Sequence, residues 1–249
     1  MKTLPLAMLT TTLACTSVQA APAFNLYGGG YNWNSELEGS LASGGDDVDL
    51  DNDLGFDHAS QSGAYLGLEH TVSLVPNVRV RYLDLNDRTS QRLPRDITFA
   101  GSNFTAGERT FSNLELEILD GTLYYSLPLD NTRLDLGLMV QDLDGELQVN
   151  SSGDTASQHI DKTLPLLHVA ATWPFALISD NAYLGAEVNG MLYSDDSLAD
   201  FTLRAGWRSD FLLGLEVGYN QRFIDLDEDS NTRTDLKFGG PYVALLLNF

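Results

Sequence analysis

The chain of 249 residues has one cysteine, Cys15, and only 14 basic residues against 35 acidic ones, a formal charge of −21. Past residue 20 it lacks any apolar run long enough for a membrane-spanning helix, and it has no stretch of helical period with capping residues. Each shortage excludes something. One cysteine rules out an intrachain disulfide and a thiolate metal site. The acidic excess argues against nucleic acid and against direct binding to anionic headgroups, and leaves divalent cations or basic partners. The missing apolar run excludes a helical membrane protein.

What is present begins with a leader. The stretch MKTLPLAMLTTTLACTSVQA carries Lys2, then a short apolar segment, then small residues ending at Ala20. That order reads as a Sec-type signal peptide over residues 1–20, with cleavage after Ala20 and no twin arginine. A lipoprotein signal at Cys15 is the rival reading, but Thr12 stands where such a signal prefers Leu. Residues 21–249 then make one β domain.

That domain alternates apolar and polar residues again and again. The segments are 24–33, 62–72, 77–85, 114–127, 132–143, 164–175, 182–193, 200–208, 211–224 and 234–249. Tight links at 73–76, 128–131, 176–180 and 209–210 carry Pro, Asn, Asp or Ser. Longer polar links fall at 38–61, 88–113, 146–161 and 226–233, and only 194–199 is both short and acidic. Short and long links by turns predict an all-β, transmembrane up-and-down antiparallel β-barrel of about ten strands, its termini in the periplasm and its long loops outside. In LELEILDGTLYY the apolar residues change faces near Asp120-Gly121, which predicts either a bulge or the point where that strand leaves the membrane.

The strand faces favour the barrel over a secreted, ligand-binding β-sandwich. In FTLRAGW, Phe201, Leu203, Ala205 and Trp207 oppose Thr202, Arg204 and Gly206. Charges beside glycine suit a narrow, crowded lumen. Tyr27, Tyr31, Trp33, Trp173, Phe175, Trp207, Phe211 and Phe249 lie near strand ends, where aromatic girdles at the membrane borders are expected. The Gly28–Gly30 run opens no helix and is read as strand rather than as a phosphate loop.

The chain closes on GGPYVALLLNF, with Val243, Leu245, Leu247 and Phe249 on one face. An apolar alternation ending in an aromatic residue resembles the sorting signal that outer-membrane barrels present to the barrel assembly machinery, with Pro241 the one departure. With the leader, the YGGGYNW start and Phe249, the chain resembles an uncharacterised family of proteobacterial outer-membrane barrels. The resemblance implies a place in the Gram-negative outer membrane among lipid and lipopolysaccharide, and no reaction.

Three places could carry chemistry. The acidic segment 44–57 places Asp49, Asp51 and Asp53 in the spacing that opens an EF-hand, but Leu54 and Ser60 stand where its Gly and Glu belong. A looser cation site is the alternative to a solvated loop. The second place is the lumen. Arg79, Arg81, Arg133 and Arg204 should face inward with Glu69, Asp135, Glu187 and Glu216, either as a plug of salt bridges or as the lining of a narrow pore. The third is a rim enzyme acting on lipid A or peptides. His58 and His159 fall in outer segments beside acids, and His70 and His168 near the periplasmic end. A ten-strand count is shared with the omptin proteases, yet no omptin motif is matched residue by residue, and no Ser–His spacing marks a lipid A deacylase. The sequence therefore assigns no catalytic residue and no cofactor.

Overall fold

The computed structural model describes residues 24–72, 74–193, 196–209, 211–229 and 232–249. The leader and Cys15 lie outside these residues. The described chain forms strands and turns, with no helix. In order they are β1 (Phe24–Ser43), β2 (Asp47–Asp49), β3 (His58–His70), β4 (Asn77–Arg92), β5 (Ile97–Phe99), β6 (Ser102–Phe104), β7 (Arg109–Leu129), β8 (Thr132–Asn150), β9 (Thr155–Pro174), β10 (Ala182–Tyr193), β11 (Asp196–Arg208), β12 (Leu213–Asp229) and β13 (Thr232–Asn248). Ten of them, all but β2, β5 and β6, form a closed antiparallel barrel. β13 shuts it against β1, from Tyr27 opposite Asn248 to Ser43 opposite Thr232. This pairing skips Pro241, which has no N–H to donate, and resumes at Glu36 opposite Gly239.

Each strand keeps one face inward along its whole length, but the chemistry of the two faces exchanges half-way. On β8 the outward residues run Leu134, Leu136, Leu138, Val140, then Asp142, Asp144, Glu146. The inward ones run Arg133, Asp135, Gly137, then Met139, Gln141, Leu143, Leu147, Val149. β7 does the same and contains no bulge: Asp120, Thr122 and Tyr124 share the inward face with Leu114, Leu116 and Ile118. The face change seen in the sequence is thus a change of solvent. Near the chain termini the wall is apolar outside and polar inside. Towards the other, distal end it is polar outside and apolar inside.

The outward apolar belt is continuous around the terminal half. Runs such as 165–173 and 241–249 cover about nine residues, ~30 Å at about 3.3 Å per residue. Tilted by about 40°, they make a belt roughly 23 Å tall, close to the ~25 Å apolar band of membrane-spanning barrels. Closure leaves no sheet edge in that belt, as hydrocarbon requires. Phe24, Trp207, Phe211 and Phe249 border it at the terminal end, and Tyr82, Tyr219 and Phe223 at the other. Tyr27, Tyr31 and Trp33, expected in the girdle, instead share the inward parity of β1. Trp33 is 1% exposed, packs on Phe238 and donates its indole N–H to the Gly240 carbonyl at 3.0 Å.

The distal half also corrects the reading of the links. Segments 146–161 and 226–233, expected as outer loops, are mostly strand, with only residues 151–154 between β8 and β9. They look loop-like in sequence because water bathes their outer face. Segments 44–57 and 93–108 do leave the wall, but they fold over the distal opening. They are tied together by Asp46 and Thr98: the Asp46 amide donates to the Thr98 carbonyl at 3.0 Å, and the Thr98 amide donates to the Asp46 carboxylate at 2.7 Å. From them Val48, Leu50, Leu54, Phe56, Ile97, Phe99 and Phe104 enter the interior and join wall residues such as Leu41, Leu85, Leu147 and Phe238 in one apolar core.

The narrow wall depends on glycine for close approach. A Cβ at Gly240 would lie 1.9 Å from the Asn34 carbonyl oxygen, a backbone atom that cannot give way. Gly121 faces outward with nothing within 4 Å. Unboiled protein should therefore migrate as a compact, heat-modifiable band on a gel. Gly240→Ala should lower the urea midpoint of the refolded barrel, at a cost of about 1–3 kcal/mol, whereas Gly121→Ala should leave it in place.

Candidate functional site

The lumen of the terminal half is packed by two kinds of side chain, tyrosine and arginine, set against glycine. Six inward tyrosines stand directly opposite glycine on a neighbouring strand: Tyr27 and Gly67, Tyr65 and Gly29, Tyr31 and Gly63, Tyr124 and Gly137, Tyr183 and Gly206, Tyr242 and Gly218. A Cβ on Gly67 would lie 2.2 Å from the Tyr27 ring. Arg79 likewise stands opposite Gly67, and Arg204 between Gly185 and Gly218. These glycines make room for long side chains beside the wall, Gly67 and Gly218 each standing between two of them.

All eight charged residues singled out in the sequence point into this lumen, and each makes an ion pair. Near the terminal end Arg133 bridges Glu69 and Asp135, with Nε 2.9 Å from the Asp135 carboxylate. Glu69 also accepts from the Tyr124 hydroxyl at 3.0 Å. Deeper in, Glu187 is 2% exposed and accepts from Nη1 and Nη2 of Arg79 at 3.0 and 2.6 Å and from Nη1 of Arg204 at 3.0 Å. Glu216 accepts from the hydroxyls of Tyr183 and Tyr242 at 2.5 and 2.8 Å and lies 3.8 Å from Arg204. His168, expected near the periplasmic end, is buried here, its Nδ1 2.6 Å from the Asn189 amide oxygen.

A further layer escaped the sequence reading apart from its Arg81. Arg81 bridges Asp120 at 2.7 Å and Asp200 at 3.2 Å, and Arg222 donates its Nε to Asp200 at 3.1 Å. Gln141 and Asn220 complete it, at 2.6 Å from Asp120 and 2.8 Å from Asp200. The next inward residues towards the distal end are Leu83, Ile118, Leu198, Leu143 and Ile224, so this layer is the floor on which the apolar core rests. Carrying the inward parity of Thr202 back one step reaches Asp200, and that of Glu216 forward reaches Arg222. Asp120 was hidden by the exchange of polarity on β7.

The acidic segment 44–57 behaves differently from a cation loop. Both oxygens of Asp53 are taken by Arg95, at 3.0 and 2.6 Å, and one also accepts the Asp49 amide at 3.0 Å. This contact raises the Arg95 guanidinium above its ordinary value. Asp49 turns its other interaction to the Asn52 amide, and Asp51 is exposed. Among the described residues the three acid or histidine groups whose ligand atoms converge are Glu36, Asp57 and His58, all exposed. His159 stands 3.5 Å from Asp144, also exposed. Outside the distal half, Asp84, Glu117, Asp144 and Asp161 form an unbroken acidic row across β4, β7, β8 and β9, each directly opposite the next. Val243, Leu245, Leu247 and Phe249, expected to form a sorting signal, all face outward in the apolar belt.

No protein-family model and no curated protein sequence matches the chain. Among solved structures it is similar to the outer membrane protease OmpT from Escherichia coli, at 9% identity over 91% of this chain and 96% of that one, with a TM-score of 0.47. It is also similar to the translocator domain of the autotransporter NalP from Neisseria meningitidis, at 12% identity over 93% and 90% of the two chains, with a TM-score of 0.48. Neisserial surface protein A matches at 10% identity over 93% of this chain and 100% of that one, TM-score 0.34. These identities are too low to transfer the role of any residue.

Three expectations follow from the geometry. Glu187→Ala strands Arg79 in a confined space, leaves Arg204 only Glu216 at 3.8 Å, and should cost about 3–5 kcal/mol in urea unfolding. Arg88→Ala, which breaks the exposed pair with Glu115 at 3.6 Å, should cost about 0–1 kcal/mol. Glu117→Gln should stabilise the barrel by about 0.2–1 kcal/mol at low ionic strength by interrupting the acidic row, and this gain should shrink as salt screens the repulsion.

Proposed function

We propose that the protein is an integral barrel of the Gram-negative outer membrane, with its terminal end in the periplasm and its plugged half outside, and that it serves as a closed structural protein of the envelope rather than as a pore. The belt, the closed wall and the aromatic borders support the membrane placement. One observation carries the closed state. The distal interior is filled by a core in which Leu41, Val48, Leu50, Leu54, Phe56 and Leu147 are all 0% exposed. An ion path needs water or polar groups along its whole length, and here it would meet packed hydrocarbon from wall to wall.

Under this reading the lumen charges hold the wall together and do not line a conduit. We assign the protein no reaction; among the described residues the ionic contacts of the outward His58 and His159 are with carboxylates. Its partners would be outer-membrane lipid along the belt and the assembly machinery that reads Phe249. Lipopolysaccharide would meet the acidic outer strands, with divalent cations between the two sets of negative charge. Single-channel recording of the refolded protein in a planar bilayer is the direct test. Both the unmodified chain and Arg79→Ala should be silent. A steady conductance that changes with Arg79→Ala would instead make the lumen a narrow pore and overturn the closed reading.

A further inference from the structure

We propose that the lumen beneath the plug is a binding pocket, open at the terminal end, for a small planar carboxylate. The space there is a cavity of about 180 Å³. At its mouth it adjoins a recess of about 680 Å³ among the turns, and the two share Arg133, Thr172 and Arg208. Set against ~30 Å³ for a water molecule in the liquid, the inner cavity alone has room for a ring-sized solute.

The hydrogen-bond inventory of the walls decides the ligand's chemistry. Four carboxylates reach the cavity surface, Glu69, Asp135, Glu187 and Glu216, and every one is already engaged by arginine or tyrosine. The one charged group of the lining without a partner among the described residues is a donor. The Arg208 guanidinium makes no ion pair or side-chain hydrogen bond among the described residues, and stacks on the Tyr183 ring with its carbon 4.7 Å from the centroid. The hydroxyls of Tyr31 and Tyr65 also carry no hydrogen bond among the described residues. Stacking leaves the edge of a guanidinium fork open, which is the edge that takes a carboxylate with two parallel bonds. The Tyr27 and Tyr65 rings, 6.2 Å apart and tilted at 57° to each other, add aromatic surface to the same cavity. In a chain with 35 acids and 14 bases, six arginines line this one cavity.

This inference goes beyond the closed-barrel reading and is measured separately from it, since binding to solubilised protein does not depend on whether ions cross. The experiment is isothermal titration calorimetry of the refolded full chain in detergent with benzoate, and with benzamide as its uncharged counterpart. Benzoate should bind and benzamide should not. Arg208→Gln, at an exposed position without an ion pair, should keep heat-modifiable mobility and weaken benzoate by about tenfold or more, the usual loss for a charge-assisted bond. Tyr65→Phe serves as a second variant, and it should weaken benzoate several-fold if its hydroxyl is a ligand. Benzoate binding no tighter than benzamide would overturn the proposal. So would equal affinity in the unmodified protein and both folded variants.

Discussion

The structure depends on one constraint: a closed wall in which every strand must keep the same face inward while the medium outside changes. A strand cannot rotate half-way along without breaking register with both neighbours. The side chains must therefore exchange chemistry in place. Where hydrocarbon lies outside, leucine and valine cover the outer face, and the lumen receives the polar residues. Where water lies outside, acids cover the outer face, and the interior is the one place left to bury apolar surface. Gln141 and Leu143 on β8, and Asp120 and Ile118 opposite them on β7, mark the crossing.

Filling the lumen with charge rather than leucine has a physical logic. Apolar residues on both faces would make each belt segment a continuous hydrophobic strand, prone to aggregate before the wall closes. Polar residues at every second position prevent this, but confinement then requires each charge to be matched. Glu187 with Arg79 and Arg204, and Asp200 with Arg81 and Arg222, meet that requirement by sharing one carboxylate between two guanidiniums. Such networks add little net stability over a packed apolar core, but removing one member leaves an uncompensated charge. Glycine opposite tyrosine and arginine supplies the space in which these long side chains lie.

The two halves consequently divide their roles. The distal half is an ordinary protein core wrapped in an acidic strand wall, sealed by two excursions that knit to each other through Asp46, Thr98, Asp53 and Arg95. The terminal half is a short polar shaft with a floor of ion pairs. Its surface is rich in hydrogen-bond donors that the protein itself leaves unspent, and it opens on the side of the chain termini.

Much of this was legible in the sequence, because period-two alternation reports parity directly. Strand number, the antiparallel order, the inward direction of Arg79, Arg81, Arg133, Arg204, Glu69, Asp135, Glu187 and Glu216, and the outward face of Val243, Leu245, Leu247 and Phe249 all follow from counting by two. Counting could not say where the medium changes, since a polar residue facing water outside and one facing a lumen look alike in one dimension. For that reason extended strand at 146–161 read as loop, Tyr27, Tyr31 and Trp33 read as girdle, and Asp120 was lost at an apparent change of face. Which carboxylate meets which arginine was decided only by closing the barrel. Glu187 and Arg79 are 108 residues apart along the chain, and no local pattern records a pairing made across the lumen.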